Sequence, residues 1–318
     1  MFALCVCEAD LPCSRSLLMF EKEFVSWIES RNRARASVLV DVGDDACVIA
    51  PNELASVVTT DSLCDRIHFD TREHSLERIG RKSLAVSISD ILAMGARPAQ
   101  AVLTFFLPRS FSLSDAQQVY LGAEEVAAAN GVAITGGDTN RYDGPLIVGS
   151  TLIGYVSPER IWKIDGAKIG DSILVTGSLG GSILGRHLDF QPRTEWVQKI
   201  ADKYTINAAT DITDSFSLDL SYLLQQSRVG GMIDRQAVPI SDAAAELSRS
   251  TERSAFERGM TDGEDFELLL VTSADIADEI LTSESDVVTR VGTVVEETGL
   301  WLVDNGEKTR FEPKGYVH

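Results

Sequence analysis

The sequence has little positive charge, and this deficit excludes whole classes of partner. Its 318 residues contain 29 lysines and arginines against 48 aspartates and glutamates, a formal net charge of −19 at pH 7. Nucleic acids and anionic membranes are bound through basic patches, so we expect neither as a partner. Small phosphorylated molecules remain possible partners, because bound cations can screen the acidic side chains from phosphate.

Long apolar runs and paired cysteines are also missing. No segment reaches the run of about 18 uninterrupted apolar residues that indicates a membrane span. The five cysteines include no Cys-x-x-Cys pair, and their odd number is typical of a reducing compartment rather than of a disulfide framework. The opening "MFALCVCEADLPC" lacks the basic start of a signal peptide and carries Glu8 and Asp10. We therefore predict a cytoplasmic location.

The two common phosphate-binding loops are absent as well. There is no Gly-x-x-x-x-Gly-Lys-Ser/Thr loop, and no Gly-x-Gly-x-x-Gly opens a strand–helix unit. The stretch "TGSLGGS" at 176–182 lacks the lysine of the first loop. Its backbone amides could hold a phosphate at a helix N-terminus, or it could be a flexible turn between a strand and a helix. The residues alone leave both interpretations open.

Strand-like and helix-like segments alternate along the chain. Apolar spacing predicts a helix in "LERIGRKSLAVSISDILAMGA" and strands in "ASVVTTDSL", "QAVLTFFLP" and "PLIVGSTLIGYV". The pattern restarts with a strand, a glycine-rich turn and a helix after "GAKIGDSILVTGSLGGS". We therefore predict an α/β (α+β) fold with an N-terminal domain at 21–158 and a C-terminal domain at 159–318.

Acidic residues recur at the ends of the apolar strand-like runs, where α/β proteins gather ligands. Each one alone is typical of a turn or a helix cap. Brought together they would repel and raise each other's pKa, unless hard cations such as Mg²⁺ took up the charge. Because Mg²⁺ binds carboxylates together with substrate phosphates, the set favours phosphoryl chemistry; its members are Asp44, Asp45, Asp61, Asp138, Asp211, Asp214, Glu264 and Asp265.

Asp90 is the exception, because it stands at the front of the apolar segment "SISDILAMGARPAQAVLTFFLP" rather than after a strand. Burying a lone carboxylate there would cost several kcal/mol without a compensating partner. Two interpretations follow. Asp90 either caps a helix with its side-chain oxygen, or it faces a metal ion.

Seven segments together resemble the thiamine-monophosphate kinases, a family within the aminoimidazole-ribonucleotide-synthetase-like superfamily of ATP-using enzymes. The resemblance begins near residue 22 and continues to the closing "KGYVH". Residues 1–20 lie outside it, and Met19 is a candidate natural start. In chain order the segments are "VGDDACVI", "TTDSLCDRIHF", "IGRKSLAVSISDILAMGARP", "ITGGDTNR", "GDSILVTGSLGGS", "ATDITDSFSLDL" and "DGEDFELLL".

The resemblance implies a fold, an assembly and a reaction. The fold has two α/β domains, and the N-terminal domain pairs into a barrel across a homodimer. Apolar strands in "SVVTTDSL" and "QAVLTFFLP" agree with such pairing. ATP and thiamine monophosphate would give ADP and thiamine diphosphate by direct in-line transfer. Several Mg²⁺ ions would assist, and no covalent nucleophile would be needed.

The resemblance also implies roles for particular residues. His68 and Glu264 match substrate contacts, and Asp90 would be a metal ligand rather than a cap. Gly137, Asp138 and Thr213 match ATP contacts. The positions that match metal ligands are Asp44, Thr59, Thr60, Asp61, Asp90, Asp138, Asp211 and Asp214.

Three departures from the family pattern concern the ligands. Ser215 replaces a glycine beside a metal ligand, and Ile164 replaces an arginine, which leaves Lys163 as a stand-in for an ATP-phosphate contact. Pro313 stands where many members have a tryptophan that would stack on thiamine, although Trp301 or Tyr316 could fill that role. The alternative is a related kinase or synthetase that acts on another small phosphorylated or carboxylated metabolite. A non-catalytic nucleotide-binding regulator is a third interpretation.

Overall fold

The computed structural model describes residues 23–24, 26–28, 30–31, 38–40, 48–49 and 53–316. The predicted metal ligand Asp44 and the candidate start Met19 lie outside these ranges. Near the N-terminus two short strands, β1 (Val38–Val40) and β2 (Val48–Ile49), pair antiparallel.

The N-terminal sheet has four strands in the spatial order β3-β6-β4-β5. Strand β6 is antiparallel to both of its neighbours, and β4 and β5 run parallel. Three of the strands were predicted from the sequence and are confirmed: β3 (Ala55–Cys64), β4 (Arg97–Pro108) and β6 (Ile147–Val156). The fourth strand is β5 (Ala133–Tyr142).

Helices α1 (Leu76–Ala93) and α2 (Leu113–Ala129) follow β3 and β4 along the chain. Ser75 and Ser112 cap their N-termini by accepting hydrogen bonds from backbone amides. Gly80 of α1 packs against α2, where an added Cβ would lie 1.8 Å from the carbonyl oxygen of Val119. Helix α1 is buried almost all round from Ile79 to Ser89, which is typical of a helix between two layers.

The C-terminal sheet has seven strands in the order β13-β12-β9-β11-β7-β10-β8, and all neighbours are antiparallel except β9 and β12. Its strands are β7 (Ser172–Thr176), β8 (Ala208–Asp211), β9 (Gly230–Asp234), β10 (Leu268–Thr272), β11 (Val288–Val295), β12 (Gly299–Asp304) and β13 (Glu307–Phe311). The helices of this part are α3 (Arg186–Asp189), α4 (Thr194–Lys203), α5 (Phe216–Ser227), α6 (Asp242–Ser248), α7 (Ala255–Thr261) and α8 (Ala274–Glu284).

The predicted mixed α/β class is confirmed. One hydrophobic cluster joins α1 and the N-terminal sheet to side chains of the C-terminal part, among them Leu174, Phe266 and Leu268. A second cluster lies wholly within the C-terminal part. The domain boundary at 158/159 stays a prediction. Among the described residues, no helix is long and apolar enough to cross a membrane.

Candidate functional site

Helix α1 brings acidic residues of both sheets to its surface through serine hydroxyls. Ser87 donates a hydrogen bond to Asp61 of β3 over 2.5 Å, and Ser89 donates one to Asp211 of β8 over 2.6 Å. Asp90 of α1 itself accepts a hydrogen bond from the hydroxyl of Thr59. Three carboxylates that are far apart in sequence therefore gather around one helix.

Asp90 does not cap a helix. Helix α1 begins at Leu76 behind the cap Ser75, so Asp90 lies in its last turn. Its side chain accepts from a threonine hydroxyl of β3 rather than from backbone amides. The cap interpretation is wrong, and the metal interpretation remains.

The gathered carboxylates are held at an electrostatic cost. Burial raises the pKa of Asp90 to about 7, and the neighbouring charges of Asp211 and Asp61 add to the rise. Burial likewise raises the pKa of Asp211 to about 6, and it raises the pKa of Asp61. None of the ion pairs within the described part of the chain involves these three side chains.

These carboxylates suit a Mg²⁺ ion that keeps water and phosphate ligands better than a metal ion whose ligands all come from the protein. Among the described residues, no three aspartate, glutamate, histidine or cysteine side chains converge closely enough to hold one ion. Mg²⁺ needs only one or two carboxylates from the protein, because waters and substrate phosphates complete its shell. Crowded carboxylates without a cationic partner therefore suit magnesium that arrives with a nucleotide.

Two clefts meet at Asp90 and Asp211. The first has a volume of about 740 Å³ and extends from Asp61 and these two residues to Thr213 and Asp214. His68, Glu264 and Tyr316 also line this cleft, and the amides of Glu264 and Tyr316 donate to the carbonyls of Thr213 and Asp214. The second cleft, of about 580 Å³, is lined by Thr59, Asp90, Lys163 and Asp211. The acidic centre is thus accessible from two sides.

Buried contacts hold Glu264 and His68 in the first cleft. The ammonium of Lys82 on α1, which is 0% exposed, lies 2.5 Å from a carboxylate oxygen of Glu264 and donates a 2.8 Å hydrogen bond to the carbonyl of His68. The amide of Cys64 donates to Nδ1 of His68 over 3.0 Å. Because Nδ1 accepts, the proton of a neutral His68 is on Nε2.

The structure does not bring Thr60, Gly137 and Asp138 to this centre. Asp61 faces α1, so Thr60 points to the opposite face of the sheet, where its hydroxyl lies 3.0 Å from that of Thr151. Asp138 lies on β5, the edge strand opposite to β3, where it pairs with Thr104 of β4. Three strand spacings, ~14 Å, separate these edges.

The glycine-rich turn does not offer its amides to a phosphate. The amide of Gly180 donates to both carboxylate oxygens of Asp265, and the amide of Gly181 donates to Asp262. Both glycines have positive φ, 84° and 75°, which side chains disfavour. These two amides are therefore taken up by carboxylates of the chain itself, which favours the turn interpretation over the phosphate-loop interpretation.

The replacement of the family glycine by Ser215 is explained by local structure. The residue has an extended φ of 170°, which needs no glycine, and its hydroxyl caps α5 by accepting from the amide of Leu218. The amides of Thr213, Asp214 and Ser215 all donate to the carboxylate of Asp219. The predicted ligands Thr213 and Asp214 thus lie in an ordered loop at the cleft.

Sequence reasoning assigned no role to Lys82, Ser87 and Ser89, and it left Tyr316 as one of two aromatic candidates. Tyr316 lines the first cleft, whereas Trp301 lies on β12 and donates to the carbonyl of Glu297. Pro313 is not among the lining residues of that cleft. The closing "KGYVH" segment was the available signal for Tyr316. The sequence carries no such signal for Lys82, Ser87 and Ser89, because only the fold buries this part of α1.

Comparisons with known proteins agree with this architecture. The family model "AIR synthase related protein, N-terminal domain" matches residues 43–156. A thiamine-monophosphate kinase of Rhodopirellula baltica is 41% identical over 308 residues, which cover 94% of this chain and 97% of that protein.

Solved structures agree as well. The crystal structure of thiamine-monophosphate kinase from Stenotrophomonas maltophilia superposes with a TM-score of 0.76 at 31% identity, over 89% of this chain and 95% of that one. AaThiL in complex with AMPPCP and TMP superposes with a TM-score of 0.74 at 25% identity, over 97% and 100% of the two chains. The predicted fold related to aminoimidazole-ribonucleotide synthetase is confirmed, and the chain belongs to the thiamine-monophosphate kinase family.

Proposed function

We propose that this chain transfers the γ-phosphoryl group of ATP to thiamine monophosphate and releases ADP and thiamine diphosphate. One observation carries the proposal: a single cleft is lined both by the acidic centre at Asp61, Asp90 and Asp211 and by His68, Glu264 and Tyr316, which we take as its acceptor end. The acidic end suits metal-bound phosphates. The other end offers an N–H donor, a carboxylate and an aromatic ring to an organic acceptor.

Asp61, Asp90, Asp211 and Asp214 would hold Mg²⁺ at the acidic end, with Thr59 and Asp44 as further ligands by family resemblance. Bound there, Mg²⁺ would neutralise the phosphate charges of two anionic substrates. Lys163 lines the second cleft beside Thr59 and Asp90, and we assign it to the nucleotide phosphates. Thr213 borders the same centre from the first cleft.

The transfer needs no covalent intermediate on the protein. A phosphate oxygen of thiamine monophosphate attacks the γ-phosphorus of ATP, a new P–O bond forms in line, and the bond to the β-phosphate oxygen breaks. ADP leaves with the electron pair of that bond. The chain contributes mainly by holding the two phosphates close together and in line.

The acceptor end has a chemistry that matches thiamine. The carboxylate of Glu264 complements the cationic thiazolium ring, and Nε2–H of His68 can donate to an acceptor atom of the substrate. Tyr316 exposes an aromatic face along the same cleft. An aromatic ring attracts a cation placed over its face.

We expect Tyr316→Ala to raise the KM for thiamine monophosphate by about 2- to 30-fold, because a cation–π contact is worth about 0.5–2 kcal/mol. The kcat should stay near the wild-type value, since the phosphate end is held elsewhere. Steady-state kinetics at saturating ATP measure both constants. Trp301→Ala is the matched control and should leave KM unchanged. An unchanged KM in Tyr316→Ala would show that the Tyr316 ring does not contribute to acceptor binding.

We also propose a homodimer. The sheet face opposite α1 carries Val58, which is 63% exposed, and Phe106, which is 37% exposed. Thr60 and Asp138 lie on this same face. A second copy packed there would cover the apolar side chains and bring another Asp138 toward the sheet.

Light scattering at micromolar concentration tests the assembly. The expected mass is twice the 34.6 kDa of one chain, and Val58→Asp should lower it to that of a monomer, because a charge would be buried unpaired in the interface. A wild-type protein that is monomeric under these conditions would contradict the homodimer. The cytoplasmic location stays a prediction.

A thermal-shift experiment tests the proposed ligands. Thiamine monophosphate added with AMPPCP and Mg²⁺ should raise Tm above the value with AMPPCP and Mg²⁺ alone, because a ligand of the folded state stabilises it by mass action. Other phosphorylated and carboxylated metabolites are screened in parallel. A shift with one of these and none with thiamine monophosphate would favour a related kinase or synthetase over the proposed acceptor.

A further inference from the structure

Lys82 is a buried cation that contacts both Glu264 and His68, which line the cleft on two sides. It belongs to α1, and its side chain is 0% exposed. Its ammonium lies 2.5 Å from Glu264, which follows the C-terminal helix α7, and 2.8 Å from the carbonyl oxygen of His68, which follows strand β3. One amino group therefore contacts both walls of the acceptor end.

The backbone around Glu264 has an unusual conformation that the contact with Lys82 can help to hold. Glu264 has a φ of 59°, in the left-handed region that a non-glycine residue seldom adopts. Its amide donates to the carbonyl of Thr213, and Phe266, two residues on, also has a positive φ of 48°. The side chain of Glu264 remains 36% exposed to the cleft although Lys82 is wholly buried. The ammonium thus holds the carboxylate from behind while its other side faces the cleft.

Helix α1 also fixes the distance between Lys82, which contacts Glu264 and His68, and Asp90 of the acidic centre. Lys82 and Asp90 lie eight residues apart on it, which is ~12 Å along a helix. The same rigid element therefore places Asp90 at the acidic end and fixes Glu264 and His68 at the acceptor end.

We propose that Lys82 is a positioning residue for the acceptor: its ammonium fixes the carboxylate of Glu264 and the backbone of His68 where thiamine monophosphate binds. The inference rests on the proposed function. Lys82 is too deeply buried to touch the substrate, so its effect passes through Glu264 and His68.

The test compares Lys82→Met, which keeps the length of the side chain and removes its charge, with the wild-type enzyme. We expect the KM for thiamine monophosphate to rise about 10-fold or more, because misplacement of a binding group by about 1 Å has effects of this size or larger. The KM for ATP should change less than about twofold, since ATP is bound at the other end. A rise of both constants together, or of neither, would overturn the proposal.

Arg81→Met is the matched control. Arg81 is the neighbouring buried cation of α1, and it donates to the carbonyls of Leu188 and Phe190 without touching Glu264. It should lower Tm and leave the KM for thiamine monophosphate unchanged. If Arg81→Met raises that KM as much as Lys82→Met does, the effect of Lys82 is general loosening of the structure, and the positioning role is wrong.

The double variant Lys82→Met/Glu264→Gln covers the case in which Lys82→Met fails to fold, because it leaves neither charge of this ion pair without its partner. Since Lys82 acts mainly through Glu264, the double variant should have the same KM as Glu264→Gln alone, within about twofold. Independent, multiplying effects would overturn the proposal. Wild-type turnover is measured first: its absence refutes the proposed function, whereas turnover with unchanged constants in Lys82→Met refutes only the role of Lys82.

Discussion

Replacing Asp90 with asparagine should lower kcat about 10³-fold, the size of effect seen when one preorganised electrostatic contact to a transition state is lost. The change is nearly isosteric, and the amide oxygen of the new side chain can still accept the hydrogen bond that Thr59 donates to Asp90. It removes one negative charge from a site that two clefts share. The loss should therefore appear in turnover and not in folding.

Kinetics and circular dichroism together measure this result. The matched control is Glu77→Gln, which removes one charge from the exposed first turn of the same helix, ~20 Å from Asp90 along the helix axis. It should keep wild-type kcat. An Asp90→Asn enzyme within about threefold of wild-type kcat would mean that Asp90 is not a metal ligand, since a lost ligand costs far more.

We expect removal of magnesium to abolish turnover and its return to restore it. Two anionic substrates must approach each other beside Asp61, Asp90 and Asp211, whose carboxylates have raised pKa values and no cationic partner among the described ion pairs. Without a divalent ion, this arrangement repels both phosphates. We expect the rate to fall below detection after chelation.

The experiment adds EDTA, then excess Mg²⁺ or Ca²⁺. Mg²⁺ should restore the full rate. Ca²⁺ should restore little, because it is larger and tolerates irregular geometry that positions the phosphates loosely. Turnover that persists in excess EDTA would contradict the assignment of these carboxylates to metal binding.

Local patterns were sufficient for most of the fold. Apolar spacing predicts helix α1 and strands β3, β4 and β6, and the structure contains all four. The role of Asp90 was not decided by local pattern, although the helix predicted from Leu76 onward already contains it, because apolar spacing does not show which groups a side chain contacts. Only the tertiary contact with Thr59 distinguishes a cap from a ligand.

The division of the predicted ligands between two sheet faces could be predicted from the sequence only in part. Neighbours along a strand point to opposite faces, so Thr60 and Asp61 could not both face α1. The face of Asp138 depends on a shift in the pairing of β4 and β5 between Ala101 and Val102. That register is set by packing and leaves no mark on the "TGGD" motif itself.

Lys82 and Tyr316 show the same limit at the acceptor end. A lysine in a helix is usually solvated, and only the fold buries Lys82 against Glu264, 182 residues away. Tyr316 reaches the cleft because its segment returns to the loop before α5, where its amide donates to the carbonyl of Asp214. Long-range contacts of this kind depend on the whole chain.

The most direct test of the proposed function is to identify the phosphorylated product. The enzyme is incubated with ATP, Mg²⁺ and thiamine monophosphate, and the products are separated by chromatography, with unphosphorylated thiamine as the parallel acceptor. We predict one thiamine diphosphate for each ADP formed, and no product from thiamine, because the acceptor is a phosphate oxygen. ADP formed without thiamine diphosphate, or no reaction at saturating ATP and Mg²⁺, would contradict the proposal that this chain phosphorylates thiamine monophosphate.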